Sequence, residues 1–186
     1  MDLKQRKIIR LQNYDYSTCG AYFVTICTHN RKHLLSSIRR DDPCGRPYAV
    51  PTGLGLIAID VLHLIEERYD VTVIDYIVMP DHVHLVIFLP ERRDSQEKIP
   101  LGRIIGAYKS IVSTRWLSVC KQQGGNVSKI WQAGYYDHVV RNDTDLKEIR
   151  EYIQWNPDRW SKKYEHICGR PQGSSLRDFN EKQTDL

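Results

Sequence analysis

The chain has 186 residues, 41% of them hydrophobic, which is the length and apolar content of one domain with a sizeable core. Its 27 basic and 23 acidic residues leave a net charge of +4, a balance that suits a polyanionic partner without identifying one. The charged opening MDLKQRKIIRL lacks the apolar core of a signal peptide, and no later run approaches the roughly 20 apolar residues of a membrane span, so a cytoplasmic protein with no membrane partner is expected.

Five cysteines, Cys19, Cys27, Cys44, Cys120 and Cys168, are an odd number without a CxxC pair, which implies reduced thiols rather than a disulfide framework or a zinc site. AYFVTICTH (21–29), rich in β-branched and aromatic residues, predicts a first strand. A Pro/Gly-rich loop follows at about 41–53. From Leu54 to Tyr69 apolar residues recur at helical spacing, and VTVIDYIVM (71–79) predicts a second strand. After the Met79-Pro80-Asp81 turn, HVHLVIFL (82–89) predicts a third, antiparallel to the second.

Residues 90–100 read as a loop, 101–120 as a helix, and KQQGGNVSK as a flexible break. A fourth strand is expected at 136–141. Asn142 is suited to cap a helix over 143–155 that stops before Pro157. The order βαββαβα predicts an α+β fold, a ferredoxin-like antiparallel sheet with helices packed on it. Residues 1–160 are expected to form the domain and 161–186 a loose polar tail. CGRP occurs at 44–47 and again at 168–171, too short a match to be an architectural repeat.

Alternation along the third strand puts His82 and His84 on one face, roughly 6–7 Å apart at about 3.3 Å per residue. Two imidazoles so placed can ligate one ion. They can equally be strand-end histidines that only hydrogen-bond. The opposite face, Val83, Leu85, Ile87 and Leu89, is wholly apolar and needs a core to cover it. On the last helix Tyr152 and Asn156 are four residues apart and so neighbours on one helical face. A tyrosine beside a cation and a phosphate is a possible nucleophile, and the Asn156 amide oxygen can complete a His-His-Asn set with open positions for phosphate oxygens. The alternative for Tyr152 is an ordinary half-buried helix residue.

The string MPDHVHLVI (79–87), followed about seventy residues later by YIQWNP (152–157), resembles the single-tyrosine HUH transposases, most closely the REP-associated tyrosine transposases. The segments at 9–34 and 131–160 are also similar to that family, so the resemblance covers most of residues 6–160. It departs from the family at the 41–53 loop and the CGRP tail.

The resemblance implies metal-binding histidines at His82 and His84, a nucleophile at Tyr152 and an assisting polar residue at Asn156. It also implies Mg²⁺ or Mn²⁺ as the ion, single-stranded or hairpin DNA as partner and a 5′-phosphotyrosine intermediate; no general base is obvious, and His138 and metal-bound water are the candidates. Arg92, Arg93, Arg103, Lys109, Arg115 and the amino-terminal Lys4, Arg6, Lys7 and Arg10 are available to phosphates, and Trp131, Tyr135 and Tyr136 to unpaired bases. Nothing in the sequence chooses between a monomer and a homodimer. Two other classes fit part of the pattern: a non-catalytic single-stranded nucleic-acid-binding module, and a metal-dependent hydrolase that activates water.

Overall fold

The computed structural model describes residues 14–40, 45–93, 97–125 and 128–168. The main sheet contains β1 (Gly20–Cys27), β4 (Thr72–Val78), β5 (His82–Leu89) and β6 (Tyr136–Val139) in the order β4-β5-β1-β6, and every neighbouring pair is antiparallel. This is the expected α+β, ferredoxin-like arrangement, with the two longest strands, β1 and β5, at the centre.

One face of the sheet is sealed by α1 (Gly53–Tyr69) and α2 (Leu101–Gln122). Tyr22, Val24 and Ile26 of β1 and Val83, Leu85 and Ile87 of β5 share one buried cluster with Val61, Ile65, Ile104, Ile105 and Tyr108 of those helices. The opposite face is covered by α3 (Asp143–Gln154), whose Ile149 and Ile153 close over Val86 with Phe23, Ile77 and Leu146 around them. The apolar alternation of β5 thus feeds two cores, as a central strand requires.

Helix starts follow their capping chemistry. Asp145 donates its backbone N–H to the Asn142 side chain at 2.9 Å, as expected for that residue, and Gly55 donates to Thr52 Oγ1 at 3.2 Å. Gly55 also lies flat against the chain that precedes β2: a Cβ there would meet the Leu35 carbonyl oxygen at 2.0 Å.

The structure corrects three expectations. The segment expected as a loop contains β3 (Tyr48–Pro51), which pairs with β2 (Ser36–Arg39), just ahead of that segment, as a separate two-stranded ribbon. Prolines and four-residue strands hid the pattern, since a ribbon paired only with itself needs no long apolar alternation. Second, the chain does not loosen after residue 160: α4 (Asn156–Cys168) begins immediately beyond Trp155, and the proline that ends α3 lies in the first turn of α4, where its missing N–H costs nothing. Third, α2 continues to Gln122, so Lys121 and Gln122 of the expected flexible break are helical. The amino-terminal basic residues, and the tail from residue 169 on with most of the second CGRP, lie outside the described residues.

Two glycines give this packing a direct test. Gly55→Ala should destabilise the protein by about 1–3 kcal/mol, because the added methyl must displace backbone. Gly106→Ala, on an exposed position of α2 with nothing within 4 Å of the new methyl, should stabilise by about 0.5–1 kcal/mol. Denaturant unfolding of both variants, with opposite shifts of the midpoint, checks the pair.

Candidate active site

The face of the sheet beneath α3 carries His82, His84, Val86 and Phe88 of β5 and, by register, Cys27, Thr25 and Phe23 of β1. Both histidines are buried, at 7% and 5% exposure, and their rings stand 4.3 Å apart centre to centre. A buried imidazole needs partners for its ring nitrogens. His84 Nδ1 is hydrogen-bonded to Thr25 Oγ1 at 2.8 Å, across the β1–β5 register, and His82 Nδ1 to Asp81 Oδ1 at 2.5 Å. In both rings the same nitrogen is occupied, which leaves the two Nε2 atoms for a shared ligand.

Electrostatics favour a neutral His84. Burial, then the neighbouring His82 and Arg31, push the His84 pKa well below that of an ordinary imidazole. Burial works to raise the Asp81 pKa, but the hydrogen bond and charge of His82, with Arg31 and His33, hold its carboxyl below the usual range. Asp81 is therefore an ionised acceptor, so the Nδ1 of His82 carries a proton and its Nε2 is the nitrogen turned to a ligand. Such carboxylate- and hydroxyl-backed imidazoles are what a metal centre asks of its ligands.

Tyr152, on α3, lies directly over this pair. Its ring centre is 5.3 Å from that of His84 and 6.0 Å from that of Phe23, both edge-on, and it is half-buried. Asn156 is buried at 6% exposure, but not on a continuous helix with Tyr152. It opens α4 after the break at Trp155, so the one-face spacing argument does not describe it. What places Asn156 is its bracketing: Tyr152 before it lies against His84, and Trp160 after it lies 6.0 Å from His82. Among the described residues no group of three or more His, Cys, Asp or Glu side chains is arranged to hold a metal ion. The side chains that could hold a divalent ion are the histidine pair through Nε2, with the buried Asn156 amide as the expected third donor.

The expected DNA contacts divide. Trp131 is not available to bases: it is 5% exposed, packs 6.0 Å from Tyr108, and donates its indole N–H to Lys109 O at 3.1 Å. Sequence alone made it available to unpaired bases, and the tertiary partner for its N–H overrode that. Lys109 spends its ammonium on the carbonyls of Gln132 and Gly134, at 2.6 and 2.8 Å, and Arg92 donates to Tyr69 O. Arg103 and Arg115 pair with Glu97 and Asp60 on the outer side of α2, away from the histidine face. Tyr136 is 45% exposed and, paired with Thr25, belongs to the histidine face. His138 is tied to Asp145 at 2.9 Å. Tyr108 is ruled out as a nucleophile by burial, which drives its pKa far up, and Tyr135 packs on the main core.

Sequence reasoning missed Thr25, Asp81, Trp155, Arg159 and Trp160. Asp81 abuts the histidine motif and was visible as a possible partner. Thr25 becomes legible only with the β1–β5 register.

The described residues contain no helix long and apolar enough to cross a membrane. The model of the family described as "Transposase IS200 like" matches residues 16–156. An uncharacterized protein of Haemophilus influenzae is 25% identical over 183 residues, covering 85% of this chain and 91% of its own length. The REP-associated tyrosine transposase of Escherichia coli K12 is 29% identical over 84 residues, covering 44% of this chain and 41% of its own length. A solved structure of a REP-associated tyrosine transposase bound to a REP hairpin superposes with a TM-score of 0.55 at 16% identity, over 92% of this chain and 94% of that one, and so shares its fold. With the family match spanning both histidines, Tyr152 and Asn156, this chain belongs to the IS200-like transposases.

Proposed function

We propose that this chain cuts and rejoins single-stranded or hairpin DNA, with Tyr152 as nucleophile and with Mg²⁺ or Mn²⁺ held by His82, His84 and Asn156. The observation that carries the reading is the edge-on packing of Tyr152 against His84 while both histidines have their Nδ1 atoms occupied. The hairpin held by the structural neighbour supports hairpin DNA as the substrate class.

The phenolic oxygen of Tyr152 attacks phosphorus, the bond from phosphorus to the 3′-oxygen breaks, and the leaving 3′-oxygen takes up a proton as the phenol gives one up. The product is a 5′-phosphotyrosine ester, which keeps the phosphodiester linkage at similar energy, so another 3′-hydroxyl can reverse the step and join a different end. The ion supplies charge neutralisation at the phosphate oxygens. Asp81 holds His82 in the tautomer that presents Nε2, Thr25 orients the ring of His84 through its Nδ1, and Phe23 and His84 fix the ring of Tyr152. The same packing lets the hydroxyl be removed without disturbing its surroundings.

Tyr152→Phe should therefore abolish the denaturant-resistant protein–DNA adduct on a cleavable single-stranded substrate while leaving DNA affinity within about twofold, since only one oxygen is lost. Tyr136→Phe is the control and should keep the adduct. An adduct that persists in Tyr152→Phe sinks the assignment.

The histidine pair gives a second expectation. His82→Ala or His84→Ala should eliminate cleavage, as should EDTA. Thr25→Val and Asp81→Asn, which keep the side-chain volumes but disturb the bonds to Nδ1, should weaken Mn²⁺ binding by about 10–100-fold. Calorimetric Mn²⁺ titration reads this without reference to activity, and unchanged affinity in both variants would contradict the ligand assignment.

A further inference from the structure

Two cation–aromatic pairs lie next to each other at the α3–α4 junction. The guanidinium of Arg159 sits over the ring of Tyr152, 4.7 Å from its centre, and that of Arg46 sits over Trp155 at the same 4.7 Å. Trp155 follows Tyr152 by three residues, which sets the two rings at neighbouring positions on the helix surface. The backbone N–H of Arg159 donates to the Trp155 carbonyl at 3.1 Å, which ties the first turn of α4 to the same spot.

Arg46 reaches this spot from a distant part of the chain. It lies just before β3, and the ribbon of β2 and β3 packs against α4. The first CGRP segment thereby acquires a role: its arginine is the residue delivered to Trp155. Trp155 is 39% exposed, and Arg46 and Arg159 are exposed too. The core does not require an indole here. An exposed ring with a cation on it, continuous with the nucleophile and its own cation, has the composition of a path for single-stranded nucleic acid, where bases stack on aromatic faces and arginines take the phosphates. Paired bases stack on one another and present no face to such a ring, so the occupant is unpaired DNA.

We infer that Arg46 and Trp155 form a stacking site for an unpaired base of the strand that runs from the phosphate at Tyr152. The inference rests on the proposed DNA-transfer function and adds to it the place where the flanking single strand is gripped. Trp155 supplies the face, and Arg46 either closes over the base or turns to the adjacent phosphate. The ribbon of β2 and β3 thus serves as one wall of the strand path.

The test is equilibrium binding in the Tyr152→Phe background, so that no cleavage intervenes, with a fluorescein-labelled oligothymidylate and a blunt-ended DNA hairpin closed by a non-nucleotide linker as probes. Trp155→Ala should weaken oligothymidylate binding about tenfold, the size of one base–ring stack, and leave the blunt hairpin unaffected. Trp155→Phe should retain most of the affinity, which separates loss of stacking from loss of fold. Arg46→Ala should flatten the slope of log affinity against log salt by about 0.7, the contribution of one phosphate contact to a single strand. Oligothymidylate binding unchanged in both Trp155→Ala and Arg46→Ala overturns the inference alone, as does an equal loss for the blunt hairpin. If the parent binds no oligothymidylate, the DNA-transfer reading falls along with it.

Discussion

A polar side chain on a central strand has water on neither side, and the arrangement of this site follows from that constraint. β5 lies between β4 and β1, its outer residues feed the core under α1 and α2, and its inner face is closed by α3. His82 and His84 can occupy that inner face only if their ring nitrogens are satisfied from within the protein. Asp81, in the turn before the strand, and Thr25, opposite on β1, supply one bond to each ring on the same nitrogen. Burial then keeps His84 neutral, and the Nε2 atoms of two neighbouring rings remain for a ligand. The sheet that makes the histidines expensive to bury also makes them good ligands.

The second organising feature is the break between α3 and α4. Pro157 has no N–H to continue the ladder of α3, yet its fixed φ suits the opening turn of a new helix, so the chain restarts after Trp155. The restart brings Asn156 into the interior and swings Arg159 and Trp160 back over the sheet, one onto Tyr152 and the other toward His82. Trp155, the residue at the joint, is left facing solvent with Arg46 over it. Tyr152, the buried amide of Asn156 and the flanking aromatic surface thus come from one short stretch of chain.

The strength of periodicity explains what the sequence made legible. β5 is bounded as expected because both of its faces are apolar after the histidines and a turn precedes it. The α1, α2 and α3 segments each bury a regular stripe and were placed within two residues. The β2–β3 ribbon carries no such signal, and α4 was obscured by a proline read only as a stop. The histidines and Tyr152 could be named from their motifs, and the structure brings them together. The roles of Thr25 and Arg46 depend on register and on docking between distant segments, which no local pattern encodes. Trp131 fell to the same limit in reverse, since only its tertiary partner at Lys109 O reveals that it belongs to the core.

The most direct measurement is peptide mapping of the covalent product. After reaction with a single-stranded oligonucleotide carrying a hairpin, in the presence of Mg²⁺ or Mn²⁺, the adduct is digested with nuclease and trypsin and analysed by mass spectrometry. Cleavage after Arg150 and Arg159 releases EYIQWNPDR, in which Tyr152 is the one tyrosine, whereas Tyr135 and Tyr136 travel on a different peptide. The account predicts a 5′-phosphonucleotide on EYIQWNPDR. Strand cleavage with that peptide unmodified, or with the nucleotide on the peptide of Tyr135 and Tyr136, would contradict it.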